Sequence, residues 1–142
     1  MADSTLRTLF AARLVQARQL RALSQRALGD RMGLGKQKGS SRINRYEHQR
    51  TAIGFDNLEV LAKILEVPPA YLLADNPTMA DAILSLGSAS PKQQADLVLV
   101  LQRLSADPGL VKALLKVLKP SKQARAKIRK TLLALAADED SP

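Results

Sequence analysis

The feature that most restricts the fold is a series of apolar residues at helical spacing, interrupted by capping residues, glycines and prolines. The first series is Leu6, Phe10, Leu14 and Ala17. It predicts a helix over residues 5–20. Ser24 is a good N-cap for a second short helix, and Gly33 can adopt the left-handed conformation that ends it. The chain has 25 Leu and 21 Ala but only 7 Val, 5 Ile and 5 Thr, which favours an all-α fold.

A glycine-rich polar stretch, GLGKQKGSS at residues 33–41, follows the second helix. Its composition predicts a loop, because glycine and small polar residues favour turns over helices. Ser40 or Ser41 can then cap a third helix that ends at Tyr46 or His48.

Two more helices complete the first part of the chain. The fourth is predicted from the apolar stripe Phe55, Leu58, Leu61, Ala62 and Leu65. Pro69 suits the first turn of a fifth short helix over residues 70–73. The sequence Asp-Asn-Pro at 75–77 is typical of a tight turn or a boundary. We therefore predict a first domain of five helices over residues 1–76.

Four further helices are predicted after this boundary, each from its own start signal. The first follows Thr78 and runs to Leu86, where Gly87 ends it, and the second begins at the capping box Ser90-Pro91-Lys92-Gln93 and runs to Ser105. The third begins at Asp107-Pro108 and runs to Leu118, and the fourth begins at Pro120-Ser121 and runs to Ala136. We predict a helical C-terminal region over residues 77–137, for packing or self-association, and a frayed acidic tail over 138–142.

The positive charge is concentrated in one segment. Residues 7–50 contain eleven of the 22 Lys and Arg but only two acids, so they carry the whole net charge of +9. Such a field attracts nucleic acid, although a solvated basic face gives the same count. Two Tyr and two Phe are too few to stack on single-stranded bases, so duplex DNA is the expected partner. A second basic run, residues 119–130, fits a solvated helix face or a non-specific phosphate contact.

Composition argues against other kinds of site. The chain has no Cys and one His, which excludes disulfides and thiolate metal sites. No metal, cofactor or catalytic residue is therefore expected, and an enzyme is the least favoured class of protein. The glycines at 33–39 lack the preceding strand and the Gly-Lys-Ser/Thr ending of a P-loop. The longest apolar run, 97–101, is too short to cross a bilayer. No secretory signal is visible, so we expect a cytoplasmic protein.

Three stretches within residues 14–73 resemble the helix-turn-helix domain of the Cro and phage-repressor (XRE) family. They are LVQARQLRALSQRALGDRMGLG, SSRINRYEHQR and FDNLEVLAKILEVPPAYLL. Gly29 takes the place of a small residue, usually Ala, where the two helices of the motif cross; glycine there should lower helix propensity by about 1 kcal/mol. The resemblance implies a five-helix lambda-repressor-like domain, and the alternative is an all-α bundle without this motif.

The resemblance also implies roles for single residues. Ile43 takes the place of the core residue of the recognition helix, and Glu47 that of an acid that pairs with an arginine of the first helix, here Arg18. The residues implied to contact bases are Ser40, Ser41 and Arg45, with Arg42 and Asn44 beside them. Arg45 is the first choice for specificity, because arginine can donate two hydrogen bonds to guanine; its alternatives are a phosphate contact and a solvated charge.

Other residues are predicted to contact the DNA backbone, which positions a domain without specifying sequence. They are Gln25, which resembles the family's phosphate-binding glutamine, and Lys36, Lys38, His48 and Arg50. His48 is alternatively an exposed turn residue. The turn from Gly33 to Ile43 is longer than is common in the family, which leaves the register of the recognition helix open. We interpret its two lysines as facing DNA rather than as part of a surface bulge.

The C-terminal helices have apolar stripes of their own, such as Leu97, Leu101, Leu104 and Leu110, Leu114, Leu118. They form an internal core, a self-association surface, or both. A homodimer is expected, because one recognition helix covers only half of a symmetric site. We predict a sequence-specific regulator of transcription that binds double-stranded DNA, acting as a repressor. The alternatives are an antitoxin-like protein-interaction module with autoregulatory DNA binding and a non-specific basic DNA-binding protein.

Overall fold

The structure, a computed structural model, describes residues 5–35, 38–118 and 122–139. All regular secondary structure within these ranges is helical. The elements are α1 (Leu6–Leu20), α2 (Gln25–Arg31), α3 (Lys38–Glu47), α4 (Phe55–Leu65), the 3₁₀ helix η1 (Pro69–Leu73), α5 (Pro77–Gly87), α6 (Pro91–Ser105), α7 (Pro108–Leu118) and α8 (Lys122–Glu139). The all-α prediction of five helices followed by four more is confirmed.

Side chains from the first five helices form the core of the first of two compact units, residues 1–94 and 95–142. The largest fully buried side chains are Leu14, Leu28, Ile43, Leu61, Leu65 and Leu72. Each of them contributes roughly 1.5–3 kcal/mol by leaving water. The rings of Phe10 and Tyr46 meet edge to face at 6.2 Å, which joins α1 to α3. Helix α5 also packs on η1 and buries Ala80, so this unit extends past the boundary predicted at residue 76.

Several predicted helix ends are present. The Ser24 hydroxyl accepts the Ala27 N–H at 3.0 Å and begins α2, and Gly33 ends its turn with φ +72°. Ser90 and Gln93 form both hydrogen bonds of a capping box at the start of α6, at 3.0 and 3.4 Å. The Asp107 carboxylate accepts from the Leu110 N–H at 2.9 Å and begins α7. These signals act locally, because each joins residues three apart.

The third helix begins earlier than predicted. Residues 38–41 are helical, so the loop prediction is wrong for them, and Ser40 and Ser41 lie inside α3 rather than capping it. The Gly39 N–H already donates to the Gly35 carbonyl at 3.0 Å. The physical reason is tertiary: Gly39 is buried against Gly29 of α2, and this packing stabilises a helical turn that glycine disfavours.

Three other details of the sequence prediction are wrong. Phe55, assigned to the apolar stripe of α4, is 86% exposed because it is the first residue of the helix and lies at the rim of a hollow rather than in the core. The N-cap of α5 is Asn76 rather than Thr78, since the Asn76 side chain accepts the Met79 N–H at 2.8 Å. Helix α8 continues to Glu139, beyond the predicted end at Ala136.

The second unit contains most of α6 together with α7 and α8, and α7 packs against α8. None of its side chains that the structure describes is buried. Large apolar side chains stay exposed on all three helices, among them Leu99, Leu101, Leu115, Leu118, Leu133 and Leu135. A search of the described helices for a membrane-spanning segment finds no candidate.

Candidate nucleic-acid interface

Helix α3 is fixed by one buried face. Gly39, Ile43 and Tyr46 are all buried, and Ile43 is 0% exposed. Their spacing of four and three residues places them on one side of an α-helix. The remaining sides of α3 are therefore held in a defined direction by the core.

A second side of α3, its open face, carries Lys38, Ser41, Arg42 and Arg45, all exposed. They line a polar hollow of about 480 Å³ together with Tyr46, Thr51 and Asn57. Its lining contains three cations and no acid, so the hollow suits an anion or an electronegative base edge. The sequence prediction missed Thr51 and Asn57, because they lie outside α3 and only the fold brings them beside it.

The third side of α3 faces α1 and α2. There, Arg18 and Glu47 form a two-point ion pair, with Nε to Oε1 at 2.6 Å and Nη2 to Oε2 at 3.2 Å. Their side chains are 16% and 5% exposed, so water screens the pair only weakly. Arg18 also donates from Nη1 to the Leu23 carbonyl at 2.8 Å. One guanidinium therefore links α1, the turn before α2 and the end of α3.

Gln25, the first residue of α2, belongs to the same network. Its Nε2 donates to Glu47 Oε2 at 2.7 Å, and its Oε1 accepts from Asn44 Nδ2 at 3.4 Å. Asn44 and Ser40 are half-buried on this side, unlike the exposed Ser41, Arg42 and Arg45. The five residues predicted to contact bases are therefore divided between the open face and the side towards α2.

The residues that follow α3 complete the basic surface. His48 and Arg50 are exposed, and His48 Nδ1 lies 2.9 Å from the Asn44 carbonyl oxygen. Gln49 between them adopts a left-handed conformation with φ +59°, which turns the chain sharply beyond the helix. The Arg50 N–H donates to the Arg45 carbonyl at 2.8 Å. Lys36, predicted to contact phosphate, lies outside the described residues.

The comparisons with known proteins agree with this architecture. The family model described as Helix-turn-helix matches residues 14–72. The chain is 33% identical to a solved structure, "Crystal structure of transcriptional regulator BswR", with a TM-score of 0.64; the match covers 70% of this chain and 98% of that one. A search of curated proteins gives no match. The chain therefore belongs to the XRE family of helix-turn-helix, DNA-binding transcriptional regulators.

Proposed function

We propose that this protein binds specific sequences of double-stranded DNA as a homodimer and represses transcription. The observation that carries the proposal is the open face of α3, where Lys38, Ser41, Arg42 and Arg45 are exposed on a helix whose other sides are fixed. A helix of this size fits the major groove, where each base pair presents a distinct pattern of donors and acceptors.

In the proposed complex α3 enters the major groove with its open face towards the bases. Arg45 donates to O6 and N7 of a guanine, and Arg42 and Ser41 contact neighbouring base edges. Asn44 and Ser40 act from the side of the helix nearer α2. Because Asn44 already donates to Gln25, a base contact by Asn44 requires its amide to exchange this partner or to use its second hydrogen.

The phosphates on either side are contacted by residues around α3. Lys38 is the first residue of α3, Lys36 is two positions earlier in the sequence, and His48 and Arg50 follow the helix. Gln25 contributes its side-chain amide from the first position of α2. Its amide side chain meanwhile bonds Glu47 and Asn44, so the same residue couples phosphate binding to the position of α3.

Repression follows from symmetry and steric exclusion. One α3 covers half of a two-fold symmetric site, so a homodimer doubles both the contacts and the length of sequence recognised. The exposed leucines of the second unit support self-association, since apolar surface gains free energy when a partner covers it. A dimer bound over a promoter then excludes the polymerase.

The experiment is selection of bound duplexes from a random pool at physiological salt. Wild type is compared with Arg45→Ala and with Arg7→Ala, a control that removes an equal charge from an exposed residue at the start of α1. We expect an enriched two-fold symmetric site that Arg45→Ala relaxes at one position in each half, while Arg7→Ala keeps the site. Salt-sensitive binding without an enriched sequence would instead identify a non-specific basic protein.

A second candidate function is an antitoxin-like module whose C-terminal helices bind and neutralise another protein. The exposed apolar side chains of α6, α7 and α8 favour it, because they fit a protein partner as well as a second copy. A stoichiometric complex with the product of a neighbouring reading frame, formed through these helices, would support this function. In that case the DNA binding is autoregulatory.

A further inference from the structure

The charges of α8 run against its helix dipole. Its first half carries five exposed bases, Lys122, Arg125, Lys127, Arg129 and Lys130. The acids of α8 come at the other end, at Asp138 and Glu139. Because the N-terminus of a helix is partially positive and its C-terminus partially negative, both ends of α8 have the less favourable sign. A neighbour of opposite polarity would relieve both.

Helix α7 does not provide that neighbour. It packs against α8, but it contributes Lys112 and Lys116. Residues 108–137 contain eight Lys and Arg and no Asp or Glu. Residues 108–137 therefore offer no acid to the basic half of α8, whereas the acidic end of another copy of α8 can supply one.

An apolar groove of about 450 Å³ lies within the α7–α8 pair. It is lined by Leu114, Val117, Lys127, Ile128, Thr131 and Leu132. The second half of α8 has the complementary surface: Leu132, Leu133 and Leu135 are 53%, 66% and 59% exposed. A unit of fewer than about 70 residues rarely folds around its own core without such additional burial.

We propose that α8 pairs antiparallel with α8 of a second copy, so that the leucine-rich half of each lies in the α7–α8 groove of the other. The acidic end of each helix then lies beside the basic half of its partner, and the two dipoles oppose. The contact is isologous, as closed dimers require. A parallel pair would place basic half against basic half. The inference rests on the proposed homodimer and specifies its interface.

Because the chain has no cysteine, single-cysteine variants of the full chain give cross-links without background. Gln123→Cys and Ala137→Cys are exposed positions near the two ends of α8, and Thr131→Cys is near its middle. Each variant, and a mixture of the two end variants with one mass-tagged, is treated with a short bis-maleimide. Sedimentation velocity of the same samples gives the mass, and circular dichroism checks folding.

Antiparallel pairing predicts that the two end variants cross-link mainly to each other and hardly to themselves, while Thr131→Cys cross-links to itself. Adding Arg125→Glu to both end variants should lower the yield of the mixed product. Self-linking of each end variant at the yield of the mixture would indicate a parallel pair and overturn the inference. A dimeric mass with no cross-link through α8 would overturn the α8 pairing but leave the proposed homodimer standing. A monomeric mass would overturn both the pairing and the homodimer.

Discussion

Gly29 of α2 and Gly39 of α3 lie backbone against backbone where the two helices cross. A Cβ atom on Gly29 would lie 2.5 Å from the Cα of Gly39, and one on Gly39 would lie 2.8 Å from the Cα of Gly29. Both distances are far shorter than a carbon–carbon contact. The pair therefore sets how closely α3 approaches its supporting helix, and with it the position of Arg42 and Arg45.

Gly29→Ala should lower the free energy of unfolding by about 1–3 kcal/mol, as overpacking does. Helix propensity alone predicts the opposite, a gain of about 1 kcal/mol. Urea unfolding measures the difference. The control is Gly54→Ala, because a Cβ there meets nothing within 4 Å. This substitution should lower the free energy of unfolding by less than Gly29→Ala does. An unchanged or higher urea midpoint for Gly29→Ala would contradict this prediction and show that α2 and α3 can move apart at little cost in free energy.

The Arg18–Glu47 pair should show energetic coupling in a double-mutant cycle. We expect Arg18→Ala and Glu47→Ala to couple by about 1–3 kcal/mol, since the residues contact each other and share a hydrogen-bond network. The exposed pair Lys63–Glu59, also 2.6 Å apart, is the control; its coupling should be much weaker, because water screens exposed ion pairs. Urea unfolding of both sets of variants gives the values. A coupling energy near zero for Arg18 and Glu47 would mean that their contact does not contribute to the free energy of unfolding.

Lys38→Gln tests the proposed phosphate contact at the start of α3. Loss of one phosphate contact should reduce the slope of log K against log salt by about 0.9 without changing the preferred sequence. Lys92→Gln, which removes an equal charge from an exposed residue of α6, should leave the slope unchanged. Titrations of one duplex at several salt concentrations give the slope for each variant. Equal slopes of log K against log salt for the two variants would place Lys38 away from the phosphates.

Tyr71 should make stability depend on alkaline pH. Burial raises its pKa above the ordinary value of 10.0; nearby Arg13 opposes this effect, and Asp81 adds to it. Because the folded pKa exceeds the unfolded one, the contribution of the neutral phenol is complete below about pH 10 and is lost as the pH rises through the folded value. As the pH rises above about 10, the free energy of unfolding measured in urea should therefore fall more steeply for wild type than for Tyr71→Phe. Parallel curves would contradict this.

Much of the helical architecture could be predicted because its signals act over three or four residues. Ser24, Asp107 and the Ser90–Gln93 pair begin helices where the sequence places them. The Arg18–Glu47 pair was expected from family resemblance rather than from spacing, since the two residues are 29 positions apart. Thr51 and Asn57, which share the hollow with Arg45, gave no sequence signal.

The all-α class, the helices and most of their caps can thus be predicted without the fold, because hydrogen bonds and apolar periodicity within a turn are local. The start of α3 and the burial of particular apolar residues depend instead on packing between helices. Gly39 is helical because Gly29, distant in sequence, packs against it. Phe55 continues the stripe of α4 yet is exposed, because burial depends on what the rest of the chain brings to that surface. Periodicity defines a face, but only packing gives it a partner.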